Sequence, residues 1–129
     1  MATSPIFIGA TRREVNTISA ANTNRDGTGT LVTGFTAGSN GSAIFRIRIK
    51  AQATTTAGMI RIFNVFSSST SLIREIPVSA VTPSATVTTW EGELFFNANE
   101  MIAMASGHSL KFATNNAEAF TVSVEGGDY

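Results

Sequence analysis

The sequence predicts an all-β fold, an antiparallel β-sandwich of about eight strands with a jelly-roll-like plan. Three observations carry this. No stretch holds a helical period, the best apolar segments alternate with period two, and turn-rich stretches separate them at regular intervals. At 129 residues the chain fits one domain with a core of its own. Residues 21–129 are expected to form the sandwich. Residues 1–20 are weakly patterned and read as an N-terminal arm, one able to pack on a neighbour, or as a first strand.

The elements follow in chain order. Leu31, Val32 and Phe35 form a short strand between two Gly/Asn-rich stretches, Asn22–Gly29 and Gly38–Gly41. In Phe45-Arg46-Ile47-Arg48-Ile49-Lys50, alternation puts Phe45, Ile47 and Ile49 on one face and Arg46, Arg48 and Lys50 on the other. Ala53–Gly58 reads as a hairpin loop. Met59–Phe66 is apolar on both faces, so its second face needs a cover, either a loop or another chain.

Ser67–Thr70 is a polar turn into Leu72–Val78, where Pro77 cannot donate a ladder hydrogen bond and so marks an edge or a bulge. After Pro83, Ala85–Trp90 is expected to be extended and to bend near Gly92 into Leu94-Phe95-Phe96. Asn97–Met104 fits either one helical turn capped by Asn99 or a short strand. Ser109–Ala113 and Phe120–Val124, joined by Thr114-Asn115-Asn116-Ala117, are expected to close the domain as a hairpin, with Leu110 facing in and Phe120, Val122 and Val124 on one face.

Composition narrows the chemistry. The absence of cysteine removes disulfides, thiolate zinc sites, Fe–S clusters and cysteine nucleophiles. Ile6-Phe7-Ile8 is too short for a signal-peptide core, and no run approaches the roughly 20 apolar residues of a membrane helix. The expectation is a protein made in the cytoplasm without a classical export signal and without a membrane partner. Only 14% of residues are charged, against about 25% in typical soluble proteins. Zero net charge argues against general nucleic-acid binding.

That zero hides an asymmetry. Up to Arg74 there are eight bases against Glu14 and Asp26, a net of +6; beyond it, Lys111 stands against seven acids, a net of −6. Cross-strand pairing of basic with acidic strands inside one sandwich is the favoured explanation. Complementary patches meeting across a subunit interface are the sharper alternative.

Candidate catalytic groups are few. His108 lies between Gly107 and Ser109 with no nucleophile-elbow pattern in the chain, and reads as a turn or surface residue. Glu91 and Glu93, two apart, share a strand face at roughly 6–7 Å. That spacing raises glycoside chemistry, but a salt-bridged face opposite Arg46, Arg48 and Lys50 is favoured. Asn24–Gly29 lacks the acidic density of an EF-hand and the Lys-Ser/Thr of a P-loop, so a tight turn is favoured over a calcium or phosphate site. No enzymatic activity, metal or cofactor is expected. The basic row has no interleaved aromatics for base stacking. Its functional reading is contact with a neighbouring protein, with Arg46, Arg48, Lys50, Arg61, Met59, Phe63 and Val65 as candidate partner contacts.

The runs Asn22–Val32, Arg46–Ala51, Thr54–Arg61, Glu75–Val78 and the closing Gly126-Gly127-Asp128 resemble small virion structural proteins of tailed bacteriophages, most of all a capsid decoration (cement) protein. The likeness spans about residues 20–128 and includes no catalytic motif. It implies a protein on the capsid surface of the virion that forms a symmetric oligomer, a trimer, and contacts the major capsid protein. A tail, baseplate or fibre component meeting the host surface is the rival structural reading, with Trp90 as its marker if exposed in a groove. A carbohydrate-binding module or small glycosidase using Glu91 and Glu93 is the rival of another class.

Overall fold

A computed structural model describes residues 9–97 and 100–129. Among them are nine strands and no helix: β1 (Ala10–Ile18), β2 (Val32–Thr36), β3 (Ser42–Ala51), β4 (Gly58–Phe66), β5 (Ser69–Val78), β6 (Glu91–Phe95), β7 (Ile102–Met104), β8 (His108–Thr114) and β9 (Phe120–Asp128). They form two antiparallel sheets packed as a sandwich. The first has the order β1-β9-β3-β6, with β7 also pairing β3; the second has the order β2-β8-β4-β5. β6 pairs with residues 46–50 of β3 and β7 with residues 42–44. Together they behave as one interrupted strand.

The pairs are nested about the β4–β5 hairpin. β3 pairs with β6 and β7, β2 with β8, and β1 with β9. Two sequence expectations fail for this reason. Ala53–Gly58 and Thr114–Ala117 do not close hairpins, because β3 and β4, like β8 and β9, belong to opposite sheets. Those loops carry the chain across the sandwich. Ala85–Trp90 is loop rather than strand, and the strand begins at Glu91. The ambiguous segment yields the short strand β7, while the Asn99 cap lies outside the described residues.

The core lies between the sheets. Ile18, Ile44, Ile47, Ile49, Phe120, Val122 and Val124 of the first sheet meet Phe35, Ile60, Ile62, Leu110 and Phe112 of the second. Trp90 is buried at one side, its ring edge-on to Phe120 with centroids 5.9 Å apart. Phe45 is not part of this core. A bulge between Ile44 and Arg46 shifts the register against β9 and leaves Phe45 half-buried. The bulge faces Gly126, whose position would hold a Cβ 2.3 Å from the Ala43 carbonyl oxygen. Only glycine admits that approach of the two backbones.

The outer face of β4 finds its second cover within the chain. In register with β8, the row Met59, Arg61, Phe63 and Val65 shares the outer face with Ala113, Lys111 and Ser109. The segment between β1 and β2 crosses it. Asn22 N donates to the Thr114 carbonyl (2.8 Å), and Gly27 lies against the Thr70 side chain. The Asn22 side chain braces this strap, donating to the carbonyls of Thr28 and Thr30, both at 3.0 Å. Arg61, 4% exposed, donates to the Asn22 carbonyl (3.2 Å), Asn115 Oδ1 (3.1 Å) and Glu75 Oε2 (3.1 Å). Arg25 of the strap reaches the same Glu75 oxygen at 2.8 Å.

Candidate interaction surface

The second sheet is strapped on its outside, whereas among the described residues no such segment crosses the outer face of the first sheet. Antiparallel pairing sets this face in rows across four strands. One row runs Arg13, Glu125, Arg46, Phe95; the next runs Val15, Ser123, Arg48, Glu93; the third runs Thr17, Thr121, Lys50, Glu91. The basic row of β3 therefore lies between acids on both flanks.

The distances bear this out. Lys50 Nζ lies 2.6 Å from Glu91 Oε1, and Arg48 Nε 3.7 Å from Glu93 Oε2. Arg46 spans Glu93 (3.4 Å) and Glu125 (3.7 Å), with its guanidinium 5.2 Å from the Phe95 ring centroid. The hydrogen bond from Lys50, then its charge and that of Arg48, hold the Glu91 carboxyl below its ordinary 4.5. Among the described residues every ion pair except Arg12–Glu14 joins a base from the first 74 residues to an acid from the remainder. The +6/−6 division is thus largely met by pairing within one sandwich.

The expected contact residues divide. Arg46, Arg48 and Lys50 stand together on this face. Arg61 and Phe63, also expected as partner contacts, are buried on the other sheet, with Phe63 fully inaccessible. The strap segment meets Arg61 there, so neither side chain offers a surface. Met59 and Val65 are half-buried on that same side. The sequence reading missed Arg13, Val15, Phe95 and Glu125. For Arg13 and Val15 the signal was the alternation Thr11, Arg13, Val15, Thr17 along β1, which matches the rows of β3.

The other candidates occupy structural positions. His108 stacks on Phe66 with ring centroids 4.4 Å apart and meets Asn64 Nδ2 through Nδ1 at 3.0 Å. This joins two turns at one end of the sandwich. Glu91 and Glu93 are held by bases, and a general acid would need a raised carboxyl rather than the lowered one at Glu91. In the Asn24–Gly29 loop, Asp26 Oδ1 accepts from the Thr28 amide (3.0 Å) and hydroxyl (2.6 Å), closing a turn on itself. The hydroxyl bond, then the amide bond, lowers the Asp26 carboxyl. No group of three or more His, Asp or Glu side chains among the described residues could hold a metal. Trp90 is only 8% exposed and packs edge-on against Phe120, so it is not the exposed marker a host-surface groove would need.

No protein-family model matches the chain. No curated protein sequence matches it either.

Proposed function

We propose that this chain is a structural component of a tailed-phage particle, a jelly-roll capsid decoration protein. It associates with copies of itself as a trimer and clamps onto the major capsid protein. The observation that carries this reading is the nested order of paired strands, β1 with β9 outward from the β4–β5 hairpin, which supports a jelly roll, an architecture used by viral capsid domains. The outer face of the first sheet, which no strap crosses among the described residues, supports it further, as a broad polar platform suited to contact with a protein surface. The doubly apolar strand β4 lends no support, because the chain's own strap lies across its outer face. Clamping draws on apolar burial at about 25 cal/mol per Å², repeated over many copies on a lattice.

The test is co-sedimentation of purified protein with empty capsids, followed by electron microscopy of decorated particles. Saturable binding and density at fixed lattice positions are the expected result. Protein that stays in the supernatant at every concentration overturns the reading.

A further inference from the structure

The four edge strands differ in a way that assigns them different roles. A free edge presents unpaired N–H and C=O groups and recruits other strands unless it is blunted. Both edges of the second sheet are interrupted. β2 is bulged between Thr33 and Phe35 where it pairs β8, and β5 is out of step opposite Ile62/Phe63 and carries Pro77. On the first sheet the edge breaks only between β6 and β7, and β1 and β6 are each free of bulges. β1 keeps one register with β9 throughout, as β6 does with β3. What these two edges carry instead is opposite charge on the outer face: Glu91 and Glu93 on β6, Arg13 on β1. Beside them are two of the most exposed apolar side chains of the described residues, Phe95 (57%) and Val15 (52%). The Arg13 guanidinium enters none of the ion pairs among the described residues.

We propose that the β6 edge of one copy docks antiparallel on the β1 edge of the next, continuing the first sheet from molecule to molecule. The inference rests on the self-association in the reading above and names its surfaces. Direction permits it. Three antiparallel pairings separate β1 from β6, so the two strands run oppositely, and a neighbour in the same orientation presents an antiparallel partner. Continuing the rows sets Arg13 of the neighbour beside Phe95 and diagonal to Glu93, with Val15 beside Glu93 and diagonal to Phe95. Cross-strand and diagonal neighbours at these spacings interact, and an arginine beside an aromatic ring adds a cation–π contact. Pairing like edges is disfavoured, since two β6 edges set acids against acids. The contact is therefore head-to-tail, and the trimer requires that the rotation from one copy to the next close at three copies rather than run on as a filament.

The test is sedimentation velocity on the full-length protein and three variants, R13E, E93R and R13E/E93R, each with a thermal melt. Wild type is expected as a closed oligomer of single mass. R13E should weaken association by at least tenfold while its melt stays a single cooperative transition, and the double variant should recover most of the association. E93R loses the pairs with Arg46 and Arg48, so R13E is the decisive single variant. R13E that associates as tightly as wild type overturns the inference. Wild type that stays monomeric but binds empty capsids overturns it too, while the decoration reading stands. Oligomers broken by R13E and restored by the double variant, with no capsid binding by wild type, support the edge contact and overturn the decoration reading instead.

Discussion

Replacing Arg61 by alanine tests whether the strap is held by that one side chain. Arg61 gives three hydrogen bonds, to Glu75, to the Asn22 carbonyl and to Asn115. Breaking a wholly buried ion pair costs about 3–5 kcal/mol. Here the Glu75 side chain is 29% exposed and keeps Arg25, so it is not left as a buried unpaired charge. The loss comes instead from two abandoned acceptors at about 1 kcal/mol each, and from packing of the arginine stem at about 1 kcal/mol more. The expected destabilisation is about 3 kcal/mol, or a melting temperature lower by roughly 10 °C in a domain of this size. Urea unfolding followed by fluorescence of the single, buried Trp90 reads it as a lower midpoint at unchanged slope. Trypsin should also cut after Arg25 faster in the variant. Arg25→Ala is the control, because its own side chain is 58% exposed and such a pair contributes about 0–1 kcal/mol. A loss below about 1 kcal/mol for Arg61→Ala, or one equal to that of Arg25→Ala, would refute the reasoning.

Three further outcomes follow from the packing and the charges. Gly126→Ala forces a methyl group against the Ala43 carbonyl oxygen and should destabilise by more than about 2 kcal/mol; a neutral result in urea unfolding would mean the β3 bulge relaxes freely. Ile62→Ala, at a fully buried position, should cost about 3 kcal/mol, read in the same assay. Bonds from Arg25, then that arginine's charge and the contact with Arg61, hold the folded Glu75 carboxyl below 4.5. Its contribution is therefore present above that pH and is lost as pH falls through the lower folded value. Stability should be level from neutral pH to about 5 and decline below, and Glu75→Gln should shallow that acid decline, as measured by unfolding across a pH series.

Much of the fold was legible because alternation was clean where one face is wet. β3 and β9 read correctly at Ile47, Ile49, Val122 and Val124, and Pro77 correctly marked an edge. The placement of Glu91 and Glu93 opposite the basic row was also legible, since opposite charges at matching period-two spacing favour one register. Other features were hidden for physical reasons. The bulge at Ile44/Arg46 has no glycine or proline on its own strand; its enabling residue, Gly126, lies far along the chain. β1 read as weakly patterned because its inner row is polar: Arg12 stacks 4.0 Å above the Phe35 ring and pairs with Asp128, leaving Ile18 as its one fully buried apolar side chain. Which sheet receives a strand is decided by long-range pairing, so a turn motif such as Thr114–Ala117 looks alike whether it closes a hairpin or crosses the sandwich. The strap was foreseen only as one of two ways to cover β4.

The nested pairing also governs the time course of folding. Among the described strands only the β4–β5 hairpin joins neighbours in the chain, and each pair outward from it spans a longer loop, out to β1 with β9, where Arg12 bonds Asp128 116 positions away. Non-local pairings of this kind place a domain among slow folders, on the scale of milliseconds to seconds. Of the nine described strands β1 leaves the ribosome first, yet its partner β9 leaves last. β3 waits for the same strand before its second side is paired. The nascent chain therefore carries β1 unpaired and β3 half-paired until β9 emerges, and a truncation that removes β9 strands both at once.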